Sequence, residues 1–235
     1  MKPVNKGRSI LGLNVHGEAK PDLLERLGEF CSYCECPGAA QQLHVEHIYA
    51  QAKTAHPNLS KAWRNFLIAC GTCNTYKSKH LGNDRQRKLL KKFLWPHLDN
   101  TFRAFKYFPD GRVEIPAGLK PEIRTLAEST REMVGLLKSP AVTTDYAGTS
   151  IAFDGLQKRK KAWGIAQRAR TAYLENQTPG QLESLLDNAN QTGYFSIWME
   201  IFQDLPPVRR ELIRTFKADS FCFDQNTQPS TKGRL

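Results

Sequence analysis

The chain has 235 residues, 40% of them hydrophobic, which is enough to bury a core and too apolar for a wholly disordered polymer. Lysine and arginine outnumber aspartate and glutamate 34 to 23, and the formal charge of +11 favours a polyanionic partner, because neutralising phosphates releases condensed counterions. The residues up to His16 are basic and mixed with no apolar signal core, and no later stretch is long enough to span a bilayer, so a cytoplasmic protein with no membrane partner is expected.

In chain order, Leu23, Leu24 and Leu27 give Pro21 to Phe30 a helical spacing that runs into a first Cys-x-x-Cys pair on a loop. Gln42 to Ile48 alternates well enough for a short strand. Trp63 to Ala69 is a second apolar strand, bounded by a second Cys-x-x-Cys, with a polar loop from His56 to Ser60 between the two. A short helix is predicted from Asn74 to Gly82, then a basic amphipathic stretch, Arg85 to Leu94, that Pro96 ends. Phe102 to Phe108 and Arg112 to Ile115 flank Pro109-Asp110-Gly111 and read as a hairpin whose Gly supplies positive φ. Beyond it the chain is mostly helical: Ile123, Leu126, Met133 and Leu137 share one face, and Val208, Leu212 and Phe216 another. Ser139 to Ser150 has linker composition, and the residues after Phe223 are polar enough to fray.

Of six cysteines, Cys31 and Cys34 form one pair and Cys70 and Cys73 the other. In a chain without export signals, two such pairs point to one tetrahedral Zn²⁺ rather than to disulfides. Four thiolates close the coordination shell, so this zinc is structural. Cys36 offers a substitute thiol, although the spacing of 31 and 34 matches a metal knuckle better; Cys222 is isolated and reads as packed.

Between the knuckles lies Leu43-His44-Val45-Glu46-His47-Ile48. Asn65 precedes the second apolar run, and Asn74 directly follows Cys73, with Lys77 three residues on. This ordering resembles the HNH, or ββα-metal, nucleases, in a His-Asn-Asn variant. The fold class implied is α+β: a zinc-stapled ββα-metal core with an additional hairpin and a mostly helical C-terminal region. The expected divisions are a basic leader at 1–20, the nuclease core at 21–98, hairpin and helix at 99–138, a helical region at 151–223 and a flexible tail at 224–235.

Phosphodiester hydrolysis needs an activated water and positive charge at the phosphate. His47 suits the general base, because imidazole accepts a proton at cellular pH. Glu46 and Asn74 offer oxygen ligands for Mg²⁺ or Mn²⁺. By the same resemblance Asn65 pins the loop that orients His47. Lys77 shares a helical face with Asn74 and is a candidate phosphate contact. His44 stays open between a metal ligand, a phosphate contact and a half-buried histidine. The sequence departs from many HNH proteins at Ile48-Tyr49-Ala50, where they place a proline.

Tyr33-Cys34-Glu35, Trp63-Arg-Asn65-Phe-Leu and Cys73-Asn74-x-x-Lys77 are similar to the HNH nuclease subunit of Septu anti-phage systems, which is also found beside some retrons. That resemblance implies an ABC-type or SMC-like ATPase partner and, in a retron, a reverse transcriptase with its nucleic acid. The substrate expected is nucleic acid, DNA in preference to RNA. The chain itself has no G-x-x-x-x-G-K-[ST] loop. Lys158, Arg159, Lys160, Lys161, Arg168 and Arg170 form one basic run, and Arg85, Arg87, Lys88, Lys91 and Lys92 another. Both read either as phosphate-tracking or as solvated faces. Two other readings compete: a zinc-containing nucleic-acid adaptor with inert HNH residues, and a stand-alone restriction or homing enzyme.

Overall fold

Leu23 and Leu27 lie one turn apart on α1 (Lys20–Leu27), and both are fully buried, so this helix docks by a single apolar stripe. The computed structural model describes residues 1–49, 57–81, 89–137, 141–144 and 150–235. After α1 the chain forms β1 (Leu43–His47), paired antiparallel with β2 (Phe66–Cys70) in a register that sets Leu43 opposite Cys70 and His47 opposite Phe66. β2 runs without a break into α2 (Gly71–Leu81), which completes a ββα unit.

Both strands fall where the hydrophobic pattern puts them, with two shifts. Trp63–Asn65 is a 3-10 turn rather than strand, and α2 begins at Gly71, so Cys73 sits in its first turn. Phe66 to Ala69 are all buried, which is why this segment shows an apolar run instead of alternation. The polar loop holds a 3-10 turn at Pro57–Leu59; His56 lies outside the described residues. Of the basic stretch that follows, α3 (Leu89–Lys92) is helical, and Arg85, Arg87 and Lys88 lie outside the described residues.

The hairpin is present as β3 (Lys106–Tyr107) and β4 (Val113–Glu114), shorter than expected because Thr101–Ala104 turns into a 3-10 helix. Gly111 closes it at φ +86°. A Cβ there would lie 2.3 Å from the Leu156 carbonyl oxygen, so the turn seats directly on the next helical layer. α4 (Pro121–Met133) buries Ala127, Thr130 and Met133, but Leu137 falls beyond the helix end and is 58% exposed, so it does not share that face. The stretch read as a linker instead supplies β5 (Ala141–Thr144), paired antiparallel with β6 (Ser150–Phe153). Its β-branched Val142, Thr143, Thr144 and Ile151 favour extended backbone over a free linker.

Helices α5 (Gly155–Glu175), α6 (Pro179–Thr192), α7 (Phe195–Ile201) and α8 (Pro206–Thr215) follow. Val208, Leu212 and Phe216 are buried together, as their spacing predicts. The turn between α6 and α7 abuts the first cysteine loop. At Gly193, with φ +74°, a Cβ would meet Pro37 Cδ at 2.5 Å and the Glu35 carbonyl oxygen at 2.9 Å. Glu35 itself accepts from the backbone N–H and the hydroxyl of Ser196. The cysteine core and the C-terminal helices therefore share one interior.

Both ends pack onto the body. In the basic leader Met1, Lys2 and Val4 are buried, and the Lys2 ammonium donates to the carbonyls of Leu27 and Phe216, both at 2.6 Å. The tail, expected to fray, is tied down: Arg234 clasps buried Asp99 at 2.7 Å, and Asn100 donates to the carbonyls of Cys222 and Ser230. Polar composition misled there because these side chains serve backbone carbonyls and one buried carboxylate rather than water. Among the described residues no helix is long and apolar enough to cross a membrane.

Candidate active site

The cysteine loops converge. The four Sγ atoms of Cys31, Cys34, Cys70 and Cys73 all lie within 4.8 Å of one another, and those of Cys34 and Cys70 are 3.8 Å apart. A tetrahedron with Zn–S bonds of about 2.3 Å has an edge of about 3.8 Å, so the sulfurs fit zinc. The first pair sits in a turn closed by Glu35 N–H to the Cys31 carbonyl and Cys31 N–H to the Cys36 carbonyl. Glu35 takes φ +65° there. The second pair spans the joint of β2 and α2. Hydrogen bonding from Cys31, Cys34, Cys36 and Cys73 lowers the Cys70 thiol from its usual range, against the opposing effect of burial. Cys36 is buried beside the cluster and is not one of the four.

β1 presents the Glu-His pair in two directions. His47 is half-buried at the end of the strand. Its Nε2 lies 3.0 Å from the Ser60 carbonyl oxygen, and its ring packs edge-on against Phe66 and His16, each with centroids 5.0 Å away. A carbonyl oxygen only accepts, so Nε2 carries the proton and Nδ1 keeps the lone pair. Burial lowers the imidazole's pKa against the opposing Ser60 carbonyl, with His16 lowering it further, which favours the neutral ring.

Glu46 points inward and is 1% exposed. Its Oε2 accepts from the Tyr33 hydroxyl at 2.7 Å, and its Oε1 is paired with the Lys77 ammonium at 2.5 Å. Lys77 also donates to the His47 carbonyl at 2.6 Å. The expected phosphate contact at Lys77 is thus corrected: the side chain is buried and spent on β1, because an acid this deep needs a counter-charge. Asn74 is half-buried one turn before Lys77 on α2.

Asn65 is buried. Its amide oxygen accepts from Tyr49 N–H at 2.8 Å, and its amide nitrogen donates to the carbonyls of Tyr49 and Leu59, each at 3.1 Å. It therefore clasps the chain two residues past His47. His44 is exposed on β1, which removes the half-buried reading and leaves the metal-ligand and phosphate-contact readings open. In the later basic run Arg159 is buried, donating to the carbonyls of Gly111 and Leu136, and Arg170 pairs with Asp204. Lys160, Lys161 and Arg168 are exposed.

Three participants escaped the sequence reading. Tyr33 was visible only as part of a knuckle, and a carbonyl such as that of Ser60 carries no side-chain signal. His16 stood alone in a segment read as leader and reaches His47 only through the fold.

As an oxygen-ligand set, Glu46 and Asn74 have the chemistry of a Mg²⁺ or Mn²⁺ site. A divalent ion at Glu46 would have to replace Lys77 as its counter-charge.

Residues 31–80 match the family model for HNH endonuclease. The chain is similar to the Septu protein PtuB of Bacillus thuringiensis, 38% identical over 58 residues that cover 25% of this chain and 23% of that protein. It is also similar, at 29% identity over 113 residues, to a Vibrio cholerae serotype O1 biovar El Tor protein named provisionally as the HNH endonuclease of retron Vc95. That match covers 47% of this chain and 53% of the relative. The chain thus spans about a quarter of one relative's length and about half of the other's. The zinc-compatible ββα unit therefore falls on the segment, residues 31–80, that matches the HNH endonuclease family model.

Proposed function

We propose that this chain is a metal-dependent endonuclease that hydrolyses phosphodiester bonds in nucleic acid, DNA in preference to RNA. In this reading His47 is the general base, Glu46 and Asn74 hold Mg²⁺ or Mn²⁺, and Asn65 is a positioning residue. The observation that carries it is the half-buried His47 ring, fixed through Nε2 on the Ser60 carbonyl so that Nδ1 is left as proton acceptor. A water placed at Nδ1 loses its proton to the imidazole as its oxygen bonds to phosphorus, and the P–O3′ bond breaks on the opposite side. The divalent ion, when bound, supplies positive charge to the phosphate and to the departing oxygen. Asn65 holds Tyr49 from both sides, so the strand end bearing His47 does not splay when a polyanion arrives.

The names of the relatives extend the reading to a setting. From those names and the motif resemblance, the partner inferred is an ABC-type or SMC-like ATPase, accompanied in a retron by a reverse transcriptase and its nucleic acid. The exposed Lys160, Lys161 and Arg168 support nucleic-acid contact that is weakly specific and strongly salt-dependent.

The test is cleavage of DNA and of tRNA by the purified chain, with and without the partner, in Mg²⁺ or Mn²⁺. His47→Ala is expected to reduce the rate by about 100-fold or more, the usual contribution of a general base, while zinc content and melting temperature stay near wild type. Nucleic-acid binding with no cleavage under any of these conditions would instead assign the chain to the adaptor class.

A further inference from the structure

The N-terminal segment reaches the candidate site at two points. The buried Lys6 ammonium donates to the carbonyls of Trp63, Arg64 and Phe66 at 3.1, 2.9 and 3.0 Å, and so grips the same turn from which Asn65 holds Tyr49. Farther along, His16 packs its ring against that of His47, with centroids 5.0 Å apart and planes inclined at 65°. That placement is built into the fold. Arg26 of α1 donates to the carbonyls of Lys6 and Arg8, at 2.6 and 2.7 Å, and the Asn14 N–H donates to Glu18 Oε2 at 2.8 Å. The 3-10 turn His16–Ala19 then passes through buried Ala19 directly into α1.

The imidazole of His47 has a use for such a neighbour. A half-turn about its Cβ–Cγ bond exchanges Nδ1 with Cδ2 and Nε2 with Cε1, which breaks the bond to the Ser60 carbonyl and carries the lone pair away from its place. One neutral hydrogen bond, set against the bonds water would make, restrains a ring weakly, so packing has to supply the rest. Phe66, the cross-strand partner of His47, gives one edge contact, with centroids 5.0 Å apart and planes at 88°. His16 gives a second from outside the ββα unit. Among the described residues no further His, Cys, Asp or Glu joins the two imidazoles in a group able to hold a metal ion, so the contact is one of rings and not of shared ligands. We propose that His16 is a positioning residue: its ring acts as a wall that keeps the His47 imidazole bonded to Ser60 with Nδ1 free. The effect on cleavage rests on the nuclease reading above; the restraint on the ring does not.

Nitrogen NMR of the full, zinc-loaded chain, labelled at histidine, would follow His47 at a pH where its ring is neutral, its signals identified by their loss in His47→Gln. Wild type is expected to show the Nε2-protonated tautomer alone. His16→Ala is expected to show mixed tautomers, and His16→Phe, which keeps an aromatic ring, to restore the single one; His16→Gln replaces His16→Ala, with the same expectation, if that variant fails to fold. In cleavage assays His16→Ala should lower kcat about tenfold with KM within about twofold of wild type, and His16→Phe should recover most of the rate. A His47 spectrum unchanged in the variants without a ring would overturn the proposal. So would a His16→Phe variant as slow as His16→Ala with a wild-type His47 spectrum, because His16 would then act through its own nitrogens. Mixed tautomers in His16→Ala, with no cleavage by any form of the chain, would remove the nuclease reading and leave the positioning role.

Discussion

Glu46 and Lys77 are both almost wholly withdrawn from water and are paired at 2.5 Å. Such a pair contributes little compared with a well-packed apolar substitute, yet removing one partner strands a charge in the interior. Lys77→Met should therefore lower stability by about 3–5 kcal/mol in urea unfolding. Adding Glu46→Gln to it should recover most of that loss; equal loss in single and double variants would show that packing, not charge, is at stake. His97 gives a pH test. Burial first, then Lys6 and Lys232, push its pKa down to about 2, from near 6.5 in an unfolded chain. A depressed folded-state pKa means that the unfolded state takes up the proton first, so stability is present above pH 6.5 and falls as pH drops below it, by about 1.4 kcal/mol per unit. Between pH 7 and pH 5 the wild type should lose about 2 kcal/mol more than His97→Phe, and parallel curves would contradict the burial.

At the scale of elements, the joint of β2 and α2 belongs at once to the sulfur cluster and to the helix that carries Asn74 and Lys77. Metal analysis should find one zinc per chain, retained at wild-type stability in Cys36→Ser and lost with cooperative unfolding in Cys70→Ser. Zinc lost from Cys36→Ser would move the fifth cysteine into the ligand set. The joint was legible in the sequence because Cys-x-x-Cys, an apolar run and an Asn directly after it are short-range signals. What Lys77 does was not legible. Its place on the Asn74 face follows from helical spacing, but spacing does not say whether that face meets solvent or the acid of a strand thirty residues earlier. The hairpin β5/β6 was missed for the opposite reason: Pro, Thr, Ser and Gly composition outweighed the β-branched residues in the same stretch.

Over the whole molecule, the basic leader and the tail expected to fray are both packed against the body. Asp99 and Asn100 gather the C-terminal residues, and Lys2 joins α1 to the end of α8. Ending the chain at Phe223 should lower the melting temperature by several degrees, since it exposes Asp99 without Arg234 and frees the Asn100 amide from Ser230; an unchanged melting curve would mean the clasp contributes nothing. The Lys2 ammonium finds one of its two carbonyl partners 214 positions downstream. A ribosome delivers those positions in order, so the interior beneath the first residues stays open through most of translation. Folding of this chain is therefore governed by late, long-range closure and is expected to be slow for its helix content, with the nascent protein exposed to chaperones and proteases for longer than a helical bundle of equal size.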